Sequence, residues 1–421
     1  MEMLTTPLYY KANSSEILGA VDRFCAYYNK MNMLADQGRI QSSLDRGAFV
    51  RPQDVLDDHS WSLLGIKRNS LSYAYGPEAG EDLLRDLIAE LENRRFGTKY
   101  TKDNVVITSG AWTAVNLVIE EVFGLIAGKR NSNCLAVVGP THFQLFHRSI
   151  NMLGIDVHAF NFCLPNRAHV PQRIEDLSEV FSLKPLAVFL TNPTNPDACF
   201  YSSELIHSIA NECAKIGAYL ILDEIQDFLR TPKTRGLDYG RWIQAENIIR
   251  IDSYSKKRGL ADYRVGWAIA SRRLLGSRTG GIIGRLSGLM GNAPRAANSA
   301  LAYLLRSEID RLDGQPDILA ARWHALEEKE KILLELLAEI PEVEEILERE
   351  ACINRVIRVN FPYDDMKLAE SLLQAGTLIM ACGGYGYNPQ DNYLRITFAE
   401  REEKIRHSIG ILRQVLQSSS G

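Results

Sequence analysis

The sequence predicts an α/β protein, a mostly parallel sheet covered by helices on both faces, followed by a smaller α+β unit. Three observations lead there. From about residue 104, short and nearly continuous apolar runs recur between turns, as expected of strands buried on both faces. Amphipathic stretches of helical length separate these runs, which is the pattern of right-handed β-α-β crossovers. After about residue 290 the texture changes to long charged helices with only two strand patterns.

The elements follow in order. "SSEILGAVDRFCAYYNKMNMLADQG" carries apolar residues at helical spacing and ends at Gly38, and "IQSSLDRGAF" reads as a short extended piece. This arm, residues 1–50, is expected to pack with the smaller unit. "GPEAGEDLLRDLIAELENRRFG" predicts a helix from near Glu78, with Leu83, Leu84, Leu87, Ile88 and Leu91 on one side and a stop at Gly97. Strands are predicted at "NVVIT" (104–108), "CLAVVGP" (134–140), "IDVHAFNF" (155–162), "PLAVFLTNP" (185–193), "AYLILDE" (218–224), "NIIRIDS" (247–253) and "RVGWAIA" (264–270). Helices fall between them at 112–128, 143–154 and 202–217, the last with a serine start and a glycine stop. These make a large domain over 51–292. The remaining 293–421 form a small α+β domain, with strands at "INRVIRVNFP" and "YLRITFA" among four helices.

Bulk properties narrow the function. A chain of 421 residues is long enough for two or three domains. A net charge of −4 gives no basic excess for a nucleic acid. No apolar run reaches the roughly 18 residues of a membrane span, and the N-terminus does not read as a signal peptide. The seven cysteines form no CxxC, and the histidines show no ligand spacing, so no metal is expected and a reducing cytoplasm is the default. "GLIAGKR" is one residue short of a P-loop, and no GxGxxG follows a strand.

In such sheets ligands sit beyond the carboxyl ends of the strands. After 104–108 comes "SGAWTA", where Gly110, Ala111 and Trp112 open a helix whose N–H groups suit a phosphate, although a glycine there is also an ordinary turn. After 185–190 comes "TNPTNPD", a rigid turn in which Asn195 either offers its amide to a ligand or caps the turn. Asp223 ends an apolar strand, where a carboxylate needs a protonated heterocycle or a salt bridge. Lys256 follows the next strand in "SYSKKRGLADYRVGW", with Ser253, Ser255 and Arg264 around it, and most lysines are solvated surface charges. Jointly these ends describe one ligand, a phosphorylated aromatic aldehyde with a ring nitrogen. Lys256 would form an imine with the aldehyde, Asp223 would keep the ring nitrogen protonated, and Asn195 would hold the phenolic oxygen. The helix start, the serines and Arg264 would take the phosphate. Burial and positive surroundings would lower the pKa of Lys256.

With these motifs the chain resembles the fold type I pyridoxal-phosphate enzymes, specifically the class I/II aminotransferases, from about residue 40 to 412. "SYSKKRGLADYRVGW" is similar to the lysine signature of that family, "NPTNPD" to its Asn-Pro turn and "LDEI" to its aspartate strand. The resemblance implies pyridoxal 5'-phosphate, a seven-stranded sheet with "RVGWAIA" antiparallel, and a homodimer with active sites at the interface. It makes Arg395 in "YLRITFA" the grip on the substrate α-carboxylate, which Asn195 is expected to hold with it. Tyr75 would reach the phosphate of the neighbouring subunit, and Gly47 would lie near the substrate carboxylate. Two positions depart from the family pattern. Gln226 stands where a tyrosine usually bonds the phenolic oxygen. "GPTHFQ" offers His142, or else Phe143, as the ring-stacking residue.

The expected activity is amino-group transfer from an amino acid to a keto acid, with Lys256 as general base on the α-proton. The alternative is a β/γ-elimination, replacement, cyclisation or oxidation on the same scaffold. A regulatory domain binding the cofactor as effector would need an appended DNA-binding module, and none is expected before residue 40.

Overall fold

The computed structural model describes residues 10–12, 76–126, 134–139, 150–162 except 152, 170–293, 298–316 and 319–419, with scattered positions between 23 and 44. The large sheet contains β3 (Val105–Thr108), β4 (Cys134–Val138), β5 (Asp156–Asn161), β6 (Ala187–Thr191), β7 (Tyr219–Asp223), β8 (Ile248–Ser253) and β9 (Gly266–Ile269). Their order is β5-β4-β6-β7-β8-β9-β3, and β9 alone among these seven runs antiparallel to its neighbours.

An eighth strand, β1 (Tyr10–Ala12), pairs antiparallel with the edge strand β5. It adds one short edge strand to the seven-stranded sheet that the sequence predicts, and it brings residues 10–12 of the N-terminal arm to that sheet rather than to the smaller unit. Other parts of the arm do join that unit. Tyr27, Met31 and Leu34 pack with Ala369, Leu373 and Met380, and β2 (Ser42–Ser43) pairs parallel with β12 (Thr377–Leu378).

Alternation along each strand explains the sheet's two covered faces. Phe189 and Ile221 face one core with Ala114, Val118 and Val122 of helix α2 (Gly110–Ile126). Val188, Leu190, Leu220 and Leu222 face the other, with Leu205, Ile206 and Ile209 of helix α3 (Ser203–Lys215). Successive side chains point to opposite faces, so an apolar residue at every position is what two helical layers require. Each such side chain contributes roughly 1.5–3 kcal/mol. The α3 boundaries follow the expected chemistry. Ser202 Oγ accepts from Leu205 N at 3.1 Å, and Gly217 closes the turn at φ 65°.

Helix α1 (Asp82–Phe96) starts four residues later than its sequence suggests and stops at Gly97, whose φ is 64°. Leu84, Leu87, Ile88 and Leu91 are buried, but Leu83 is 61% exposed. The i, i+3, i+4, i+7 set fills the inward stripe, and Leu83 falls outside it.

The smaller unit holds an antiparallel sheet in the order β10-β11-β14-β13, formed by Val343–Ile346, Asn354–Val359, Tyr393–Thr397 and Met380–Ala381. β10, β12 and β13 escaped the sequence reading because they are two to four residues long. Helices Ala320–Ala338, Asp365–Gln374 and Glu402–Ser419 cover this unit. Helix Asn298–Leu312 instead lies against α1 through Leu301, Leu304, Leu305 and Ile309. Among the described residues no helix is long and apolar enough to cross a membrane.

Candidate active site

The sheet brings the predicted strand ends together. β6, β7 and β8 are parallel neighbours, with Thr191 opposite Asp223 and Asp223 opposite Ile251, so the residues after them emerge at one edge. α2 starts at the same edge, after β3. The smaller unit adds Arg395 from β14, whose Nη1 donates to Asn195 Oδ1 at 3.2 Å. Both residues are buried, so neither is a surface group. The Arg395 guanidinium also lies 4.9 Å from the centre of the Tyr385 ring.

Lys256 sits in a run of cations whose other members have partners. Lys257 is ion-paired with Asp252, and Arg258 Nε donates to Glu308 Oε1 at 2.9 Å. Among the described residues no carboxylate lies within ion-pair distance of Lys256. Burial lowers its pKa to about 8, helped by Arg395 and Arg264 and opposed by Cys352 and Asp223. A free amine is therefore accessible near neutral pH.

Asp223 is the counterpart. Burial is the main cause that raises its pKa to about 7, with Glu224 adding to the rise. The Ile225 N–H, which donates to Oδ1 at 3.1 Å, and Lys256 act against it. No cation pairs with it among the described residues. The salt bridge weighed as its bland explanation belongs to the next residue. Arg250 Nε donates to Glu224 Oε2 at 2.9 Å, and the same guanidinium meets Glu92. Among the described residues no such cation is supplied as a partner to Asp223.

The start of α2 is a cradle. Gly110 has φ 79°, and a Cβ there would lie 2.6 Å from Arg264 Nη2; one on Gly266 would lie 2.5 Å from Ala111 N. Only glycine lets the backbone approach so closely. Arg264, itself left-handed at φ 51°, donates from Nη1 to Ala261 O at 2.9 Å and keeps an exposed head group. Trp112, in the first turn of α2, is 38% exposed. Ser253 and Ser255 are buried, and Ser253 Oγ accepts from Ser255 N at 3.3 Å. Gly47, Tyr75, His142 and Phe143 lie outside the described residues.

Gln226 is buried, and it has a neighbour that sequence reasoning missed. The Cys352 thiol donates to Gln226 Oε1. Cys352 N donates to Phe228 O at 2.6 Å, and Asn354 Nδ2 donates to Cys352 Sγ at 3.6 Å. Burial pushes the thiol up to about 11, so it keeps its proton. Cys352 has φ 63°, a conformation that costs a non-glycine residue on the order of 1 kcal/mol. Nothing in "REACINRV" signals this contact, which joins positions 126 apart.

An unpaired amine, an unpaired carboxylate, an anion cradle, an amide and a guanidinium form a donor set that fits a phosphorylated pyridine aldehyde and an amino-acid carboxylate. The model for "Aminotransferase class I and II" matches residues 57–412. An asparagine–oxo-acid transaminase of Streptococcus mutans is 22% identical, over 73% of this chain and 73% of its own length. An S-alkyl-thiohydroximate lyase of Arabidopsis thaliana is also 22% identical, over 49% of this chain and 43% of its own length. A single mutant of the Thermus thermophilus aspartate aminotransferase superposes with a TM-score of 0.75 at 19% identity, covering 94% of this chain and 96% of that one.

Proposed function

The chain belongs to the aminotransferase class I and II family, and from that premise we propose that it binds pyridoxal 5'-phosphate on Lys256 and transfers the amino group of an α-amino acid to a keto acid. The observation that carries this reading is the pair formed by half-buried Lys256 and buried Asp223, following adjacent parallel strands and without an ion-pair partner among the described residues. Bound there, the cofactor supplies an aldehyde that condenses with amines and a protonated ring that withdraws electrons from the substrate Cα.

The chain's own residues do the rest. The Asp223 carboxylate accepts the proton-bearing ring nitrogen as its missing partner, which holds that proton in place. The α2 N–H groups, Arg264, Ser253 and Ser255 hold the phosphate. Asn195 and Gln226 present amides to the ring oxygen. Arg395 grips the substrate carboxylate, leaving Cα–H rather than the carboxylate bond to be broken. The free Lys256 amine would take the Cα proton as general base, hold it on Nζ as an ammonium and return it as general acid; a group whose pKa lies near 8 is suited to both roles.

The family resemblance also supports a homodimer with sites at the interface, to which Tyr75 of the neighbouring subunit would contribute. Light scattering that gave a monomer in the loaded enzyme would remove this part.

Borohydride reduction of the loaded protein, followed by peptide mass analysis, tests the anchor. The adduct is expected on Lys256, and an adduct on Lys257, or none, overturns the assignment. A second reading, elimination or replacement, is supported by the lyase relative and by glutamine at position 226. Incubation with an amino-acid panel separates the two, because transfer turns over only when a keto acid is added and elimination does not need one.

A further inference from the structure

Gln226 poses a problem that the structure resolves. A side-chain amide has two ends of opposite polarity and nearly equal shape, and only its NH2 end can donate to an anionic ring oxygen. A tyrosine at this position has no such ambiguity. Something must therefore hold the glutamine one way round.

Cys352 meets that need. Its sulfur already accepts from Asn354 Nδ2 at 3.6 Å, so the thiol proton is left to donate. It donates to Gln226 Oε1. The opposite orientation would set the Gln226 NH2 against a sulfur already taken by another NH2, with the thiol proton unused. The backbone bond from Cys352 N to Phe228 O, 2.6 Å long, ties the cysteine to the turn that carries Gln226. Cys352 is fully buried and held at φ 63°, where a glycine would be relaxed. Lys256 and Arg395 are near enough to act on the thiol electrostatically, which places it beside the site.

We propose that Cys352 is a positioning residue: its thiol occupies Gln226 Oε1 and so commits Gln226 Nε2 as the hydrogen-bond donor to the cofactor's ring oxygen. This rests on the cofactor reading above. The chain from Asn354 through Cys352 to Gln226 then performs, with three side chains from two structural units, what a single phenol would do. The donor stabilises negative charge on the ring oxygen, and so lowers the pKa of the nitrogen that joins Lys256 to the cofactor. A reversed amide would set Oε1 against that oxygen and raise it.

The test is a spectrophotometric pH titration of the cofactor–Lys256 chromophore in the resting enzyme, with no substrate present. Cys352→Gly removes the thiol at a backbone conformation that glycine prefers, so folding is favoured; Cys352→Ala is a second truncation, and Cys352→Ser restores a donor. Both truncations, like Gln226→Leu, are expected to raise the titration midpoint by about one pH unit. Cys352→Ser is expected to restore most of the wild-type value. Gln226→Leu combined with Cys352→Gly should shift the midpoint no further than Gln226→Leu alone. The proposal is overturned if the truncations leave the midpoint in place while Gln226→Leu moves it, if Gln226→Leu itself has no effect, or if serine behaves like glycine. Failure of the cofactor reading looks different, since no chromophore and no reducible adduct would then form in the wild type.

Discussion

Replacing Asp223 with asparagine should make the cofactor-free protein more stable as the pH rises, relative to wild type. The carboxyl is held at a pKa of about 7, against 3.8 when exposed. That is a rise of roughly 3 units at ~1.36 kcal/mol each, or a ceiling of about 4 kcal/mol. The sign follows from proton counting. Between pH 3.8 and 7 the unfolded chain has lost this proton and the folded chain still holds it. Stability is therefore lost as pH rises through that window, and the loss is complete above about pH 7. Asparagine does not titrate, so the variant escapes the loss. Any cost of burying its amide is a constant offset, which the pH slope ignores. Urea unfolding of cofactor-free wild type and Asp223→Asn from pH 4 to 8.5 reads the difference. The gap should open in the variant's favour up to about pH 7 and then level off. With cofactor bound the order should reverse at high pH, because only the carboxylate can pair with a protonated ring nitrogen. A gap that stays flat across the range would show that Asp223 is not the desolvated group argued here.

Three further outcomes follow from the same structure. Arg250→Leu should cost about 3–5 kcal/mol in urea unfolding, because it strands Glu224 and Glu92 as buried carboxylates; a cost below 1 kcal/mol would contradict the pairing. Gly110→Ala should weaken cofactor affinity about tenfold in fluorescence titration, since its Cβ must displace Arg264 Nη2 from 2.6 Å at a φ that alanine disfavours. Arg395→Lys should lower kcat/KM for amino acids by roughly 2–5 kcal/mol, mostly through KM, because an ammonium cannot reproduce the guanidinium fork that meets a carboxylate and Asn195 together.

The strand ends were legible in the sequence for a physical reason. In a parallel sheet every strand delivers its next residue to the same edge, so chemistry spaced far apart along the chain is collected there by topology alone. Gly110, Asn195, Asp223 and Lys256 could be grouped without knowing a single distance. Contacts that cross between the two sheets had no such rule. The link from Arg395 to Asn195 came only through the family resemblance, and that from Cys352 to Gln226 through nothing at all. The pairing of Tyr10–Ala12 with β5 was equally hidden, because a three-residue edge strand is specified by the partner it finds rather than by its own pattern.

Lys256 and Lys257 show the limit most sharply. They are neighbours with the same side chain, and composition cannot rank them. In the short helix Tyr254–Lys257 adjacent residues point about 100° apart, so one amine turns to Asp252 and the other toward the carboxyl edge of the sheet. What distinguishes Lys256 from Lys257, among the described residues, is therefore the absence of a carboxylate beside it. Only packing can create that, because an unpaired amine stays buried only where its surroundings have already been spent on other partners. Lys257 has taken Asp252, Arg258 has taken Glu308 and Arg250 has taken Glu224. Among the described residues Asp223 and Lys256 are left without such a partner, and the ligand proposed above is one whose polarity would match theirs.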